Sequence, residues 1–581
     1  MRWSRNLIIG FLITCLILGV GIVVSLLNDK EPVTVTWDDV QENGAKVEAF
    51  VERMTINEKV GQLLMPAIRK VDNKPVTTMQ PEIKKMIDDF TPGGIILFRE
   101  NVESRQQVKL LNSKLQEQSK LPLMISIDQE GGLVTRLPYF PDLQGNMALG
   151  ATGNNNLASK TGEILGEELR NLGIHIDFAP SVDMNINPLN PVIGIRSFGD
   201  DPKQVGEMGT AFMKGLNEAG VIAVAKHFPG HGGVDSDSHY VLPVHPKSLE
   251  ELRNSELKPF QTMINEGVQG IMTAHITFPE IETTQLDSQK DGLPVHLPAT
   301  LSPRMINDIL RDEMNYKGLV FTDAMNMKAI SEHFGSGEAA VRAILAGADV
   351  IVMPDQLKVA YDALLEAVKS ERITEERLNE SVVRILKAKQ QFVSVETEDG
   401  QKSTTIEKAI QLEKTVAEQS VTLLKNEQVL PLEEDFEGSI AIISSSKKLL
   451  DSMKNALWEH HYQFELIHID SFKNQNGELV EEQTRKLKRS NLTIFVTDSA
   501  TIVGDSKNAW ELISLKKAMN DSQQTILVMA RNPYDLTVLP EIDAAIAQYS
   551  AATASFQVTA DVIFGKQEAL GTLPVKLPWD E

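Results

Sequence analysis

Four of the chain's eleven histidines crowd between His227 and His245, in and just after the stretch Lys226-His227-Phe228-Pro229-Gly230-His231-Gly232-Gly233-Val234-Asp235-Ser236-Asp237-Ser238-His239-Tyr240. Imidazole titrates near neutral pH, so such a cluster suits acid/base work or metal binding. The helical His spacing of a zinc protease is absent, and the Gly and Pro residues make the segment an irregular loop. That favours proton transfer over a metal; a purely structural loop is the third reading. Within the loop, Asp237 and His239 stand two residues apart. In an extended segment alternate side chains share a face, so the carboxylate reaches one ring nitrogen and leaves the other for a substrate. A neighbouring carboxylate stabilises imidazolium, which makes His239 a proton donor to a leaving oxygen and afterwards a base.

The elements that must hold this loop follow a repeating pattern. From about Val47 to Val393 short apolar runs alternate with longer amphipathic stretches, as expected of βα units and a mostly parallel sheet. The predicted strands are Gly94 to Phe98, Leu123 to Ile127, Ile174 to Phe178, Ile222 to Ala225, Gly270 to Ala274, Leu319 to Phe321 and Val350 to Met353, with a weak eighth near Gly61 to Met65. Asp128, Asp183, Lys226 with His227, His275 and Asp323 each come just after, or at the end of, one of these runs. Barrel enzymes carry their chemistry at the carboxyl ends of strands, so these residues are expected at one mouth. For any one of them the alternative is a capping or turn residue.

Beyond Thr374 the pattern changes. A charged helical stretch leads into the acidic, polar linker Glu396 to Thr405. The strand-like runs Ser439 to Ser444, Asn491 to Thr497, Thr525 to Met529 and Ala544 to Ala547 follow, with helical segments Lys447 to His460 and Asn508 to Asn520 between them. The expected fold is an α/β chain: a (β/α)8 TIM-type barrel over 31–395, a linker over 396–410 and a smaller α/β sandwich domain over 411–581. Residues 1–30 read as a transmembrane signal anchor.

That anchor rests on Arg2 and Arg5 followed by Leu7 to Leu27, a run without charge. As a helix of about 21 residues at about 1.5 Å each it spans roughly 30 Å, enough for a bilayer. The arginines stay on the cytoplasmic side, which places the rest outside the cell. The alternatives are a cleaved, secreted form, or a lipoprotein acylated on Cys15; Thr14 is a poor residue before such a site, and the apolar run continues past it. Cys15 is the one cysteine, so no intrachain disulfide framework or cysteine-rich zinc site is possible. The net charge of −23 argues against a nucleic-acid partner. A neutral substrate fits better, and neither metal nor cofactor is expected. Oligomeric state is not legible.

The loop Lys226 to Gly232 followed by Asp237-Ser238-His239 resembles family 3 glycoside hydrolases, specifically their β-N-acetylglucosaminidase branch. So do Ile127-Asp128-Gln129-Glu130-Gly131-Gly132 with Arg136, Val192-Ile193-Gly194-Ile195-Arg196-Ser197-Phe198-Gly199, and Phe321-Thr322-Asp323-Ala324-Met325. In the second domain Thr422-Leu423-Leu424-Lys425-Asn426 and Arg531-Asn532-Pro533-Tyr534-Asp535 agree as well. The resemblance implies Asp323 as nucleophile of a retaining reaction, with a helix N-cap as its alternative role. It implies the Asp237–His239 dyad as acid/base, and Asp128, Arg136, Arg196, Lys226 and His227 as the set that grips sugar hydroxyls, each with an ordinary ion pair as the alternative. Departures from the common pattern are Gly233, Val234 and Leu133, which bear on subsites rather than on the reaction.

The implied function is exo-acting removal of terminal β-linked N-acetylglucosamine from cell-wall peptidoglycan fragments at the membrane. The alternatives are a β-glucosidase-type hydrolase, which lacks the Asp237/His239 loop, an N-acetylglucosaminide phosphorylase, and a non-catalytic wall-binding protein. Phosphorolysis enters because a deprotonated His239 is neutral and does not repel a phosphate acceptor as a carboxylate does. A substrate-assisted route would need carboxylates at the acetamido group, and the acidic pair Asp312-Glu313 reads instead as a solvated helix face.

Overall fold

The computed structural model describes residues 37–42, 46–393, 404–433, 436–470, 473–474, 476–499 and 509–578. The apolar run Leu7 to Leu27 lies outside them, and among the described residues no helix is long and apolar enough to cross a membrane. Those before Thr55 form a unit of their own, with helices Trp37–Glu42 and Val47–Val51 and the Trp37 and Phe50 rings edge-on at 5.8 Å. The second unit runs from Thr55 to the end.

Its first half contains eight parallel strands: β1 Leu64–Met65, β2 Gly94–Ile96, β3 Met124–Ile127, β4 Ile176–Asp177, β5 Ile222–Phe228, β6 Gly270–Thr273, β7 Leu319–Thr322 and β8 Ile351–Val352. Every predicted run overlaps one, and β5 and β7 continue past the ends of theirs. Buried on both faces, they are apolar almost throughout; β5 is buried at all seven positions. Six strands form one half-barrel-like sheet in the order β7-β6-β5-β4-β3-β2. β1 and β8 pair with each other, Leu64 with Ile351 and Met65 with Val352. They reach the sheet edges through the bridges Ala67–Ile96 and Phe321–Val350 and through backbone bonds such as Gly93 N to the Leu64 carbonyl and Thr322 N to the Val350 carbonyl, both at 3.0 Å. A regular eight-stranded ladder was expected; with two residues each, β1 and β8 are too short to extend it.

The helices between strands cover the sheet. In Pro202–Glu218, Asp201 accepts the Gln204 N–H at 2.8 Å as the N-cap and Pro202 opens the first turn. Val205, Met208, Phe212, Met213 and Leu216 then recur at helical spacing and are buried. Two antiparallel hairpins, Lys70–Val71 with Lys74–Pro75 and Gln285–Asp287 with Pro294–His296, interrupt the βα alternation without having been anticipated. Their strands are two or three residues long, too short for a periodic signal.

The second half is a six-stranded sheet: β9 Thr422–Asn426, β10 Ile440–Ser444, β11 Phe464–His468, β12 Leu492–Thr497, β13 Thr525–Met529 and β14 Ala544–Ala547. Their order is β9-β14-β13-β12-β10-β11, with β9 antiparallel to β14. Ile440, Ile442, Ile494, Ile526 and Val528 share a core with helices Lys447–Leu457 and Thr553–Ile563. The alternate residues Ile443, Phe495 and Leu527 are buried as well, so both faces are covered, as in an α/β sandwich. The edge strands β9 and β11 were not predicted as strands; both are partly exposed and lack the continuous apolar run of the inner ones.

The two halves touch directly, and of the expected linker over 396–410 the residues 396–403 lie outside the described ones. Residues 405–410 already belong to the helix Thr405–Ser420. Gln144 of the barrel donates to the Glu413 carbonyl at 2.9 Å and accepts from Ser555 at 2.9 Å. The C-terminal segment returns to the barrel, with Asp200 N donating to the Pro574 carbonyl at 3.1 Å and the Lys576 N–H donating to the Asp200 carboxylate at 2.7 Å.

Candidate active site

The carboxyl ends of β3, β5 and β7 deliver the central groups. β3 leads directly into Asp128, Gln129 and Glu130; β5 carries Lys226 and His227 in its last turn of extended chain; β7 leads into Asp323. Lys226, 2% exposed, donates to Asp128 at 2.9 Å and Glu130 at 2.6 Å. Glu130 also receives Arg196 in a two-pronged pair, at 2.9 Å from Nε and 2.7 Å from Nη2. Burial alone would raise the Glu130 pKa, but the Arg196 and Lys226 charges hold it far below the usual carboxylate range. Burial likewise opposes charge on Lys226, and the Asp128 and Glu130 carboxylates more than restore it. Asp177, on β4 behind this cluster, is pushed well up by burial, and its Oδ1 accepts the Gln129 N–H at 2.8 Å.

Arg136 faces Asp128 at 3.8 Å, beyond hydrogen-bond distance. Phe98 backs the arginine, its ring centroid 5.6 Å from the guanidinium carbon.

His227 is fixed by Asp183, which lies on the loop after β4. Asp183 accepts the His227 Nδ1 at 2.7 Å, its backbone N–H at 3.1 Å and the His231 N–H at 2.6 Å. Burial would raise Asp183, but the His227 charge and these bonds bring it down to about 2. With Nδ1 occupied, Nε2 is the ring nitrogen of His227 left for the cavity.

Asp323 does not cap a helix. The next helix is Lys328–Phe334, preceded by Met327, and Asp323 Oδ1 accepts only the adjacent Ala324 N–H, at 2.7 Å. Burial raises its pKa, yet the surrounding His275, His227 and His239 and the Ala324 bond hold it below the ordinary value. It is therefore ionised and largely unencumbered. His275 lies beneath, bonded to Thr300 at 2.9 Å and to the Ala324 carbonyl at 3.1 Å, and burial pushes its pKa down.

Asp237 and His239 do pair, at 2.7 Å from Oδ1 to Nδ1, but not through an extended strand. Asp237 Oδ1 also accepts the His239 N–H at 2.8 Å, and the Asp237 carbonyl accepts Tyr240 N at 3.0 Å and Val241 N at 3.1 Å. The pair is made by a side-chain-capped turn. The hydrogen bond that His239 donates to Asp237 raises the His239 pKa above 6.5, assisted by the charges of Asp237 and Asp323, and the His239 ring is 60% exposed.

Asp128, Arg136, Arg196, Lys226, His227, His239 and Asp323 line one cavity of about 230 Å³ whose walls also include Phe98, Phe178, Met272 and Val352. Asp237 stands behind His239. Glu130 and His231, not singled out from the sequence, line the same cavity, and Asp183 was noticed only as a residue after a strand.

Residues 55–388 match the glycosyl hydrolase family 3 N terminal domain and 421–581 the family's C-terminal domain. The chain belongs to glycosyl hydrolase family 3. It is 30% identical to beta-hexosaminidase A of Pseudoalteromonas piscicida over 90% of this chain and 97% of that protein. It is 35% identical to the beta-hexosaminidase of Neisseria meningitidis serogroup B over 47% of this chain and 74% of that one. Among solved structures, a glycoside hydrolase family 3 beta-N-acetylglucosaminidase from Paenibacillus sp. str. FPU-7 is 35% identical with a TM-score of 0.78, covering 90% of this chain and 99% of that chain. The protein is a glycoside hydrolase.

In this family 3 site Glu130 holds two buried cations. Glu130→Ala leaves Arg196 without a carboxylate partner at bonding distance and Lys226 with Asp128 alone, so unfolding in urea is expected to show a loss of about 3–5 kcal/mol. A loss under about 1 kcal/mol would mean that solvent replaces the carboxylate.

Proposed function

We propose that the chain is a retaining, exo-acting β-N-acetylglucosaminidase that removes terminal β-linked N-acetylglucosamine from peptidoglycan fragments, with Asp323 as nucleophile and Asp237–His239 as acid/base. The observation that carries this reading is the single cavity in which an ionised Asp323 and a carboxylate-paired histidine meet the Asp128, Lys226, Arg196 and Arg136 cluster. The relatives named beta-hexosaminidase support the sugar class. The volume, about 230 Å³, is below the roughly 300–1,000 Å³ of pockets for drug-sized ligands, which suits one terminal sugar.

The geometry supports two steps. His239 Nε2 gives its proton to the glycosidic oxygen while the Asp323 carboxylate bonds to the anomeric carbon, and the aglycone leaves as an alcohol. His239, now neutral, takes a proton from water; the water oxygen bonds to the anomeric carbon and Asp323 is released as carboxylate. Asp237 stabilises the imidazolium of the first step and keeps Nδ1 occupied. A substrate-assisted route has less support: Glu313 of the Asp312-Glu313 pair is bound to Arg253 at 2.6 Å on an exposed helix. The bridges at both sheet edges support reading the sheet as a closed (β/α)8 barrel.

Aryl β-N-acetylglucosaminide is expected to be cleaved at least about a hundredfold more efficiently in kcat/KM than aryl β-glucoside, since a site built for a polar group rejects the analogue lacking it. Equal rates would favour the β-glucosidase reading. Anchoring by the N-terminal run is proposed on its length and on Arg2 and Arg5. The same assay on fractionated cells should then find the activity in the membrane, and full-length protein in the cytoplasmic fraction would remove the anchor.

A further inference from the structure

Arg196 and His239 stand on different loops, one after β4, where Arg196 ends the short 3-10 helix Gly194–Arg196, and one after β5. Between them lies Asn190, 2% exposed. Its Nδ2 donates to the carbonyls of His231 and Val234, both at 2.8 Å, at the root of the acid/base loop. Its Oδ1 accepts the N–H groups of Val192 at 2.9 Å and Ile193 at 2.7 Å. The carbonyls of those same two residues hold Arg196, from Nη1 to Val192 at 3.0 Å and from its backbone N–H to Ile193 at 2.8 Å. All four hydrogen-bonding positions of the amide are thus used, two on each loop.

The contact between the loops is also close. A Cβ on Gly232 would lie 1.6 Å from the Met184 carbonyl oxygen, so no side chain fits there, and Asn187 N donates to the Gly232 carbonyl at 3.2 Å. From His231 the connection continues to the dyad, because its Nε2 meets Ser238 Oγ at 3.2 Å between Asp237 and His239.

We propose that Asn190 is a positioning residue that ties the sugar-gripping loop of Arg196 to the proton-delivering loop of His239, so that a sugar held by the first is presented to the second. The inference rests on the acid/base role given above to His239. An amide is the one side chain of this size that donates twice and accepts twice; a carboxylate keeps the Val192 and Ile193 bonds and loses the two donations.

The two halves of the clamp therefore separate in kinetics. Asn190→Asp is expected to keep KM within about threefold, and to lower kcat about tenfold to a hundredfold on a disaccharide with a poor leaving group, the scale expected of a misplaced catalytic group. On an activated aryl glycoside the loss is within about threefold. Asn190→Ala adds a rise in KM, since the Arg196 loop is also released. Should N190D fail to fold by circular dichroism, Asn190→Ser, which carries no buried charge, is measured against the same expectation. Equal losses on both substrates, or none on either, overturn the clamp. His239→Ala is run alongside: if it discriminates by leaving group and the Asn190 variants do not, only the clamp falls; if it does not discriminate, the acid/base reading falls and the clamp with it.

Discussion

Asp323→Ala is expected to lower turnover by about 10⁴-fold or more, the scale seen when a covalent nucleophile is removed, while thermal unfolding stays close to that of the unaltered protein. Both halves follow from the surroundings of the residue. Its carboxylate is ionised, because His275, His227 and His239 outweigh the effect of burial. It also makes one hydrogen bond, to the neighbouring N–H, so its loss costs only about 0.5–1.5 kcal/mol. No other carboxylate in the cavity is similarly unencumbered: Asp128 and Glu130 are tied to Lys226, and Glu130 also to Arg196. A slow fluorinated substrate should leave its sugar on Asp323, detected by peptide mass spectrometry. A label on Asp128 or Glu130 would transfer the nucleophile's role to that residue.

His239→Ala is the second large effect and it depends on the substrate. General acid catalysis contributes about 10²–10⁴-fold, and only a poor leaving group needs it. The variant should lose that factor on a disaccharide and much less on an activated aryl glycoside. The pH profile adds an independent check. The step needs protonated His239, so kcat/KM falls on the alkaline side as the ring loses its proton. Asp237 raises that pKa above 6.5, placing the limb above 6.5 in the native enzyme. Asp237→Asn removes the anion, and the limb should move to lower pH. An unmoved limb would mean that another group titrates there. Asp323, held below 3.8 by the histidines around it, must be ionised to attack, so the acid limb it governs lies below that value.

Much of this arrangement was legible because it is local. Strands buried on both faces, such as Ile222–Phe228, must be apolar along their length, and the polar residue that ends such a run is marked out by contrast. That is how Asp128, Lys226, His227 and Asp323 could be chosen before any coordinate. The Asp237–His239 pairing followed from a separation of two residues, although the reason was different: extended chain and a capped turn both bring such neighbours together, and the turn is what forms.

What spacing cannot express is which distant groups neutralise one another. Glu130 sits two residues after Asp128 in a familiar motif, yet its part as the anchor of Arg196, 66 positions away, arises only when the ends of β3 and the loop after β4 meet. Asn190 carries no charge and interrupts no periodic run, so nothing in the order of residues separates it from a turn asparagine. Two of its four bonds reach across 41 and 44 positions. The same limit applied to the edges of the second sheet, where β9 and β11 are partly exposed and owe their conformation to a partner strand. The amino-acid order by itself determined the inner strands, the histidine loop and the groups at its mouth, because burial and short spacing act along the chain. Only tertiary structure decided how charges balance and which loops are held together, because those energies depend on distances between residues far apart in sequence.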